Sequence, residues 1–151
     1  MEPIEFFKLQ AKNLLRDFKT KTTVSGNMAS DFKYDYAPKY FHIYDVINDF
    51  NIDEENFSLM NAQHVIAKIA GFGKWSDLAG ASFSELELAK LLFEYQDKID
   101  ILSWNLYIAD AQAMNEQELD AEIQVGIFEQ VVIEENIFDM EIQSYLLKHD
   151  Y

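Results

Sequence analysis

The sequence predicts a mainly α-helical fold, a bundle of five to seven helices, with a short β-hairpin or extended segment in residues 20–45. Three observations on the 151-residue chain point to this class. Only 5 Gly and 2 Pro are present, which is little turn punctuation for a sheet-rich fold. Apolar residues make up 49% and aromatic residues 15% of the chain, enough for one sizeable core. Apolar positions also recur at three- and four-residue steps along most of the chain.

The first helix is predicted over residues 4–18, where Phe7, Leu14 and Phe18 belong to a broad apolar stripe near the helical period. Residues 20–40 are the least helical part, because Thr, Ser, Gly and Asn favour turns there. Within that part, residues 31–36 alternate charged and aromatic side chains, which fits either a short edge strand or an ordered aromatic loop. Residues 40–50 fit either a short helix or a strand.

A clearer helical unit begins at Ser58, whose hydroxyl can cap a helix over residues 59–70. Gly71 stands where a left-handed C-cap belongs, and residues 75–80 predict a further helical turn. The aromatic residues after the glycine are predicted to fold back onto this helix, because each brings a large apolar area. The predicted structural core consists of Val65, Ile66, Ile69, Gly71, Phe72, Trp75 and Leu78.

The next helix start is a capping box, in which Ser82 is followed three residues later by Glu85. The helical pattern then runs to about residue 112, as one long helix or as two with a break near residues 97–100. Its apolar positions cover more than a single stripe, which leaves room for a homodimer or for a central buried helix.

The last part of the chain carries a further start signal, in which Asn115 is followed by Glu118. Apolar residues then step by four up to a polar break at residues 134–136. Residues 137–148 predict a last short helix.

One domain is expected over residues 1–151, with residues 1–56 as an N-terminal subdomain beside a helical body of residues 57–151. The chain has no cysteine, which excludes disulfides, thiolate nucleophiles and cysteine-bound metals. Acidic residues stand at the N-terminus where a signal peptide needs basic ones, and no stretch approaches 18 uncharged apolar residues. A cytoplasmic protein without a membrane segment is therefore expected.

The formal net charge of −15 is unevenly distributed. Residues 1–40 hold seven basic and five acidic residues, whereas residues 41–151 hold five basic and 22 acidic ones. No Lys or Arg occurs between Lys98 and Lys148. A solvated helical face would explain this interval, and so would an electronegative surface for a basic protein partner. The candidate partner surface consists of Asp110, Glu116, Glu118, Asp120, Glu122 and Glu129.

Catalytic and metal-binding motifs are absent from the sequence. Residues 49–53 imitate the start of a calcium-binding EF-hand loop, but Glu54 replaces its glycine and Met60 its bidentate glutamate. No Glu-x-x-His pair, no nucleophile elbow and no phosphate-binding glycine loop occurs. The sequence therefore predicts no catalytic residue, no cofactor and no metal ligand.

Three functional hypotheses remain open from the residues. The favoured one is a non-catalytic interaction or regulatory module that binds a basic protein partner through its acidic helical face. An alternative is an enzyme whose carboxylates and tyrosines meet in a cleft that sequence does not reveal. The least favoured is a helix-turn-helix-like DNA binder formed by residues 66–79. Its recognition helix lacks Arg, Asn and Gln, and clustered basic residues are missing, so nucleic acid is disfavoured as a partner.

A resemblance supplements these arguments. The segment Ala62-Gln63-His64-Val65-Ile66-Ala67 and the later Gly71-Phe72, Trp75 and Leu78 resemble a pattern of small uncharacterised bacterial proteins. Residues 10–15 and 85–90 belong to the same likeness, which covers about residues 5–95. Related segments look like pieces attached to ankyrin-repeat and glyoxalase-related proteins. The resemblance implies a bacterial protein but carries no chemistry, and the acidic part of the chain lies outside it.

Overall fold

A computed structural model describes residues 1–23, 34–138 and 140–148. In this part of the chain the helices are α1 (Pro3–Phe18), α2 (Ile43–Phe50), α3 (Leu59–Ile69), α4 (Trp75–Ala79), α5 (Phe83–Glu94), α6 (Ile101–Asn115), α7 (Ala121–Phe128) and the π-helix π1 (Glu129–Glu134). Two short strands, β1 (Thr22–Thr23) and β2 (Tyr34–Asp35), pair antiparallel with Thr22 opposite Asp35. The predicted mainly α-helical fold with a short hairpin in residues 20–45 is confirmed.

The chain divides into two compact units. Unit 1 consists of Met1–Phe6 and Ala67–Gln143, and unit 2 of Phe7–Ile66 and Ser144–Tyr151. Two of the three boundaries between the units fall within α1 and α3, and the third lies between residues 143 and 144. Among the described residues, no helix has the length and apolarity that crossing a membrane requires.

Unit 2 is organised around a buried carboxylate. Asp17, only 1% exposed, accepts hydrogen bonds from the backbone N–H groups of Lys39, Tyr40 and Phe41 at 2.8, 3.0 and 2.8 Å. These bonds tie the end of α1 to the segment that leads into α2. Phe18, next along α1, stacks on Phe57 with 3.8 Å between the ring centroids. Burial of a charge is tolerated at Asp17 because three backbone donors replace its water.

Unit 1 has a core of aromatic and aliphatic side chains from α5, α6, α7 and π1. Trp104 and Phe128 are both fully buried, and their ring centroids lie 5.1 Å apart. The N-termini of α5, α6 and α7 are capped by short polar side chains, as the sequence predicts for Ser82, whose hydroxyl accepts from the Glu85 N–H. Asp100 caps α6 in the same way, which establishes two helices rather than one long helix over residues 83–112.

Two predicted elements of the C-terminal part are wrong. Asn115 does not start a helix, because it is the last residue of α6 and Glu116 after it has a left-handed backbone with φ of 49°. The next helix, α7, starts after Asp120, whose carboxylate accepts from the Ile123 N–H. The side chain of Asp120, five residues after Asn115, thus provides the N-cap at which this helix begins.

Residues 137–148 form no helix where the structure describes them. Their backbone groups bond to distant parts of the chain instead. In unit 2, the His42 N–H donates to the Tyr145 carbonyl and the Leu147 N–H to the Tyr40 carbonyl, at 2.8 and 2.9 Å. In unit 1, the Ile142 N–H donates to a carbonyl at residue 97 at 3.3 Å. These long-range bonds satisfy groups that a helix would otherwise pair locally.

The structure also decides between alternatives that the sequence left open. Residues 40–50 contain a helix, α2, rather than a strand. Gly71 has φ of +95° and follows α3, so the left-handed C-cap is confirmed. Of the two alternatives for residues 31–36, the strand is present at Tyr34–Asp35, and residues 31–33 lie outside the described residues.

Candidate partner-binding surface

The six acidic residues predicted as a partner surface are all exposed in unit 1. They lie on α6, on the turn between α6 and α7, on α7 and on π1: Asp110, Glu116, Glu118, Asp120, Glu122 and Glu129. We call this set the acidic surface. In the part of the chain that the structure describes, no Lys or Arg forms an ion pair with any of them. Their charge is therefore not neutralised by neighbouring side chains there.

The charge asymmetry of the sequence follows the division into units. Unit 1 contains four Lys and 18 Asp or Glu, a formal net charge of −14. Unit 2 contains eight Lys or Arg and nine Asp or Glu, a net charge of −1. Together they give the −15 of the whole chain. One compact unit therefore carries nearly all of the net negative charge, and the other is almost neutral.

The turn that carries three of the acidic residues is fixed by two glutamines. Gln112 of α6 accepts a hydrogen bond from the Leu119 N–H at 2.8 Å, and Gln124 of α7 donates to the Leu119 carbonyl at 2.8 Å. Gln124 is itself held by the buried Trp104, whose Nε1 donates to its Oε1 at 3.0 Å. The backbone of the turn is thereby anchored to the core of unit 1, and its carboxylates project from a defined position.

Part of the acidic surface also serves the fold. Asp120 caps α7, and Glu122 lies in the first turn of that helix, where the helix dipole favours negative charge. These two residues therefore have a local structural role. The backbones of Glu116 and Glu129 form the C-caps of α6 and α7, but no side-chain cap hydrogen bond among the described residues involves Glu116, Glu118 or Glu129.

An exposed apolar ridge runs along α6 beside the acidic surface. Leu102 is 69% exposed and Leu106 is 59% exposed, and Ala109 and Ala113 continue the row in 4-3-4 spacing. We call these four residues the α6 ridge. The same helix buries Trp104 on its other side, so α6 is apolar on two faces and only one of them is covered by unit 1.

A surface groove of about 530 Å³ lies between α5, α6 and α7 of unit 1. Leu88, Ala89 and Leu92 form an apolar wall, and the carboxylate residues Glu85 and Asp120 stand at its rim. Asn105 of α6, one residue before Leu106, also lines the groove, so the groove adjoins the α6 ridge. No Lys or Arg belongs to its lining, which makes it suited to a side chain that is both aliphatic and cationic.

The seven residues predicted as a structural core are buried to different degrees. Val65, Ile66 and Leu78 are buried, at 3%, 0% and 0% exposure. Ile69, Phe72 and Trp75 are half-buried, and the backbone of Gly71 is exposed. Gly71 and Phe72 line the groove, so part of this segment contributes to a surface feature.

Tyrosines and carboxylates do meet in unit 2, as pairs. The hydroxyl of Tyr36 donates to the buried Glu54 at 2.9 Å, and that of Tyr145 to Asp49 at 2.5 Å. Burial and the bond to Glu54 raise the pKa of Tyr36. Burial and the bond to Asp49 raise the pKa of Tyr145 to about 12. Both phenols therefore keep their protons to a higher pH than an ordinary tyrosine does. Neither tyrosine lines the groove of unit 1.

The other candidate sites of the sequence have little support in the geometry. The would-be recognition helix, α4, spans five residues, and Asp77 within it is exposed. No group of three His, Asp or Glu side chains among the described residues is arranged to hold a metal ion.

Sequence reasoning missed the α6 ridge, the groove and the two glutamines that fix the acidic turn. If α5 and α6 were one helix, Leu102 and Leu106 would continue an apolar stripe that starts at Leu88 and repeats at steps of four and three residues. The helical pattern is interrupted before Asp100, and α6 begins there as a new helix that buries Trp104 and Ile108. The only available signal was the width of the apolar pattern, which exceeds one stripe.

No protein-family model matches this chain, and no curated protein or solved structure matches it either. The resemblance of residues 5–95 to small bacterial proteins therefore stays a prediction.

Proposed function

We propose that this chain is a non-catalytic interaction or regulatory module of a bacterial cytoplasm that binds a basic protein partner through the acidic surface of unit 1. The observation that carries the proposal is the concentration of charge. Unit 1 has a net charge of −14, and the six carboxylates of the acidic surface form no ion pair with a Lys or Arg among the described residues.

A surface with a high net charge affects the rate at which a protein associates with its partner as well as the affinity of the complex. Exposed charges interact over about 8 Å at physiological ionic strength, and the summed field of a charged surface accelerates encounter with an oppositely charged partner. The acidic residues of the turn lie on a backbone that Gln112 and Gln124 fix. A fixed array loses less conformational freedom on binding than a mobile one, which favours recognition.

A surface that served solubility alone would need only dispersed charge. Two features favour a partner instead. The turn between α6 and α7 is anchored to the core through Trp104. The exposed Leu106 of the α6 ridge lies one helical turn from Asp110, and apolar side chains beside charge are typical of protein interfaces.

The test is affinity capture from host lysate at low and high salt, followed by identification of the captured proteins. The surface variant Glu116→Gln/Glu118→Gln/Glu122→Gln removes three charges without removing a helix cap. The control variant Glu2→Gln/Asp77→Asn/Glu141→Gln removes three equally exposed charges from the same unit. Far-ultraviolet circular dichroism verifies that both variants retain their helices.

The proposal predicts a basic partner that the wild type and the control variant capture at low salt, and that the surface variant does not. Capture should weaken at high salt because the charges are screened. Equal capture by all three proteins, or no basic partner at either salt concentration, would contradict the proposal.

A further inference from the structure

The geometry points to a docking site for a basic amphipathic helix of the partner, which lies along the α6 ridge and places a Lys or Arg side chain in the adjoining groove. This inference rests on the proposed function, because it names the place and the chemistry of the recognition. It involves Leu102 and Leu106 on the ridge and Glu85 and Asp120 at the rim of the groove.

The α6 ridge has the geometry of a helix–helix seam. Its four residues repeat in 4-3-4 spacing, the spacing with which a helix presents one row to a second helix. The 15 residues of α6 give a length of roughly 22 Å, about four turns of contact. Apolar residues on a helix face that its own unit does not cover are the expected sign of a partner.

The charge around the ridge identifies the occupant. Asp110 flanks the row on α6, and the groove with its two rim carboxylates adjoins it through Asn105. A second copy of this chain would bring another unit of net charge −14 against the first, which is repulsive. An apolar face bordered by Lys or Arg complements the ridge and the carboxylates together.

The groove fits the long cationic side chain of such a helix. Lys and Arg pack their methylene stems on apolar surface and keep the charged group at the polar edge. Here Leu88, Ala89 and Leu92 would contact the stem, and the rim carboxylates would meet the charge. Asp120 uses a carboxylate oxygen to cap α7, whereas no such contact occupies Glu85 among the described residues. Glu85 is therefore the stronger of the two anchors.

The experiment uses the full chain and two labelled peptides of about four turns. The first is a Leu/Lys peptide whose leucines follow the helical seam spacing. The second has the same composition and charge in scrambled order, so that it cannot form an apolar face. Fluorescence anisotropy gives the Kd of each, and sedimentation velocity records the oligomeric state of the protein.

Two variants test the ridge and the groove separately. Leu102→Gln/Leu106→Gln removes the ridge without adding charge, and Met60→Gln is its control, because Met60 is 77% exposed but belongs to unit 2. Glu85→Gln removes the anchor, and Glu141→Gln is its control as an exposed acid of unit 1 outside the groove. All five positions are exposed, so these substitutions are expected to leave the fold unchanged.

We expect the amphipathic peptide to bind at least tenfold tighter than the scrambled one. The ridge variant should lose at least tenfold in affinity and Glu85→Gln about fivefold, with both controls unchanged. Equal binding of the two peptides, or a ridge variant that binds like the wild type, would overturn the inference. If the surface variant of the capture experiment still loses its partner in that case, the proposed function stands without this site. If the wild type is a dimer and the ridge variant is a monomer, the inference would also be overturned, because the ridge would then bind a second copy of the chain.

Discussion

The substitution Asp17→Ala tests whether one buried carboxylate holds unit 2 together. Asp17 is 1% exposed and accepts three backbone hydrogen bonds of 2.8–3.0 Å. A hydrogen bond to a charged group contributes about 1.5–3 kcal/mol, and removal of the acceptor leaves partly or fully buried donors without a partner. Allowing for partial access of water to two of the donors, we expect a loss of about 4 kcal/mol.

The loss is measured by urea unfolding followed by circular dichroism. Asp17→Asn should lose about 2 kcal/mol, because its amide retains one acceptor oxygen but presents N–H to a donor. Asp35→Ala is the control, since this exposed acid should change stability by less than about 0.5 kcal/mol. An Asp17→Ala protein within about 1 kcal/mol of the wild type would refute the reasoning.

Three further predictions concern the backbone, the pH dependence and the acidic turn. Gly71→Ala should cost at least about 1 kcal/mol, because φ is +95° and a Cβ would lie 3.0 Å from a side chain of α6. Gly126→Ala should instead raise stability by about 0.5–1 kcal/mol in the same unfolding assay, since its Cβ would meet nothing within 4 Å. The raised pKa of Tyr145 implies that its bond to Asp49 contributes fully below pH 10 and is lost as the pH rises to about 12. Stability should therefore fall less in Tyr145→Phe than in the wild type over that interval, and equal declines would be contrary evidence. Gln124→Ala should cost about 1–2 kcal/mol and weaken capture of the partner without any change in charge, whereas unaltered capture would show that the turn need not be fixed.

Local signals predicted the first part of unit 1 and much of unit 2 well. The stripe of residues 4–18 corresponds to α1, and the capping box at Ser82 begins α5. Gly71 ends α3 in the left-handed conformation that its position implies. These features depend on residues within one or two turns of each other, so the sequence alone contains the physics that decides them.

The wrong helix predictions concern segments whose structure depends on residues distant in the sequence. Residues 137–148 have a helical pattern, but backbone partners around Tyr40 and His42 hold the end of this segment in unit 2. Asn115 and Glu118 have the spacing of a helix start, but Asn115 is the last residue of α6 and the carboxylate of Asp120 caps α7. A short N-cap motif occurs at many positions that start no helix, because the group that competes with it lies outside the few residues of the motif.

The acidic surface was predictable because it needed only composition and exposure. All six residues are exposed, and their role as a partner surface stays a prediction. The groove was not predictable, because it depends on how α5, α6 and α7 pack and on which face of α6 remains open. The face of α6 that is buried contains Trp104, which packs in the core of unit 1. The spacing of apolar residues along α5 and α6 does not reveal which face this is.

The most direct test of the central claim is the association rate constant of the captured partner, purified, with this protein as a function of ionic strength. If the acidic surface steers and binds the partner, the wild-type rate should fall steeply as salt increases. The variant Glu116→Gln/Glu118→Gln/Glu122→Gln should associate several-fold more slowly at low salt, with a flatter dependence. Equal rates and equal salt dependence for the two proteins would show that the partner binds elsewhere and would contradict the account.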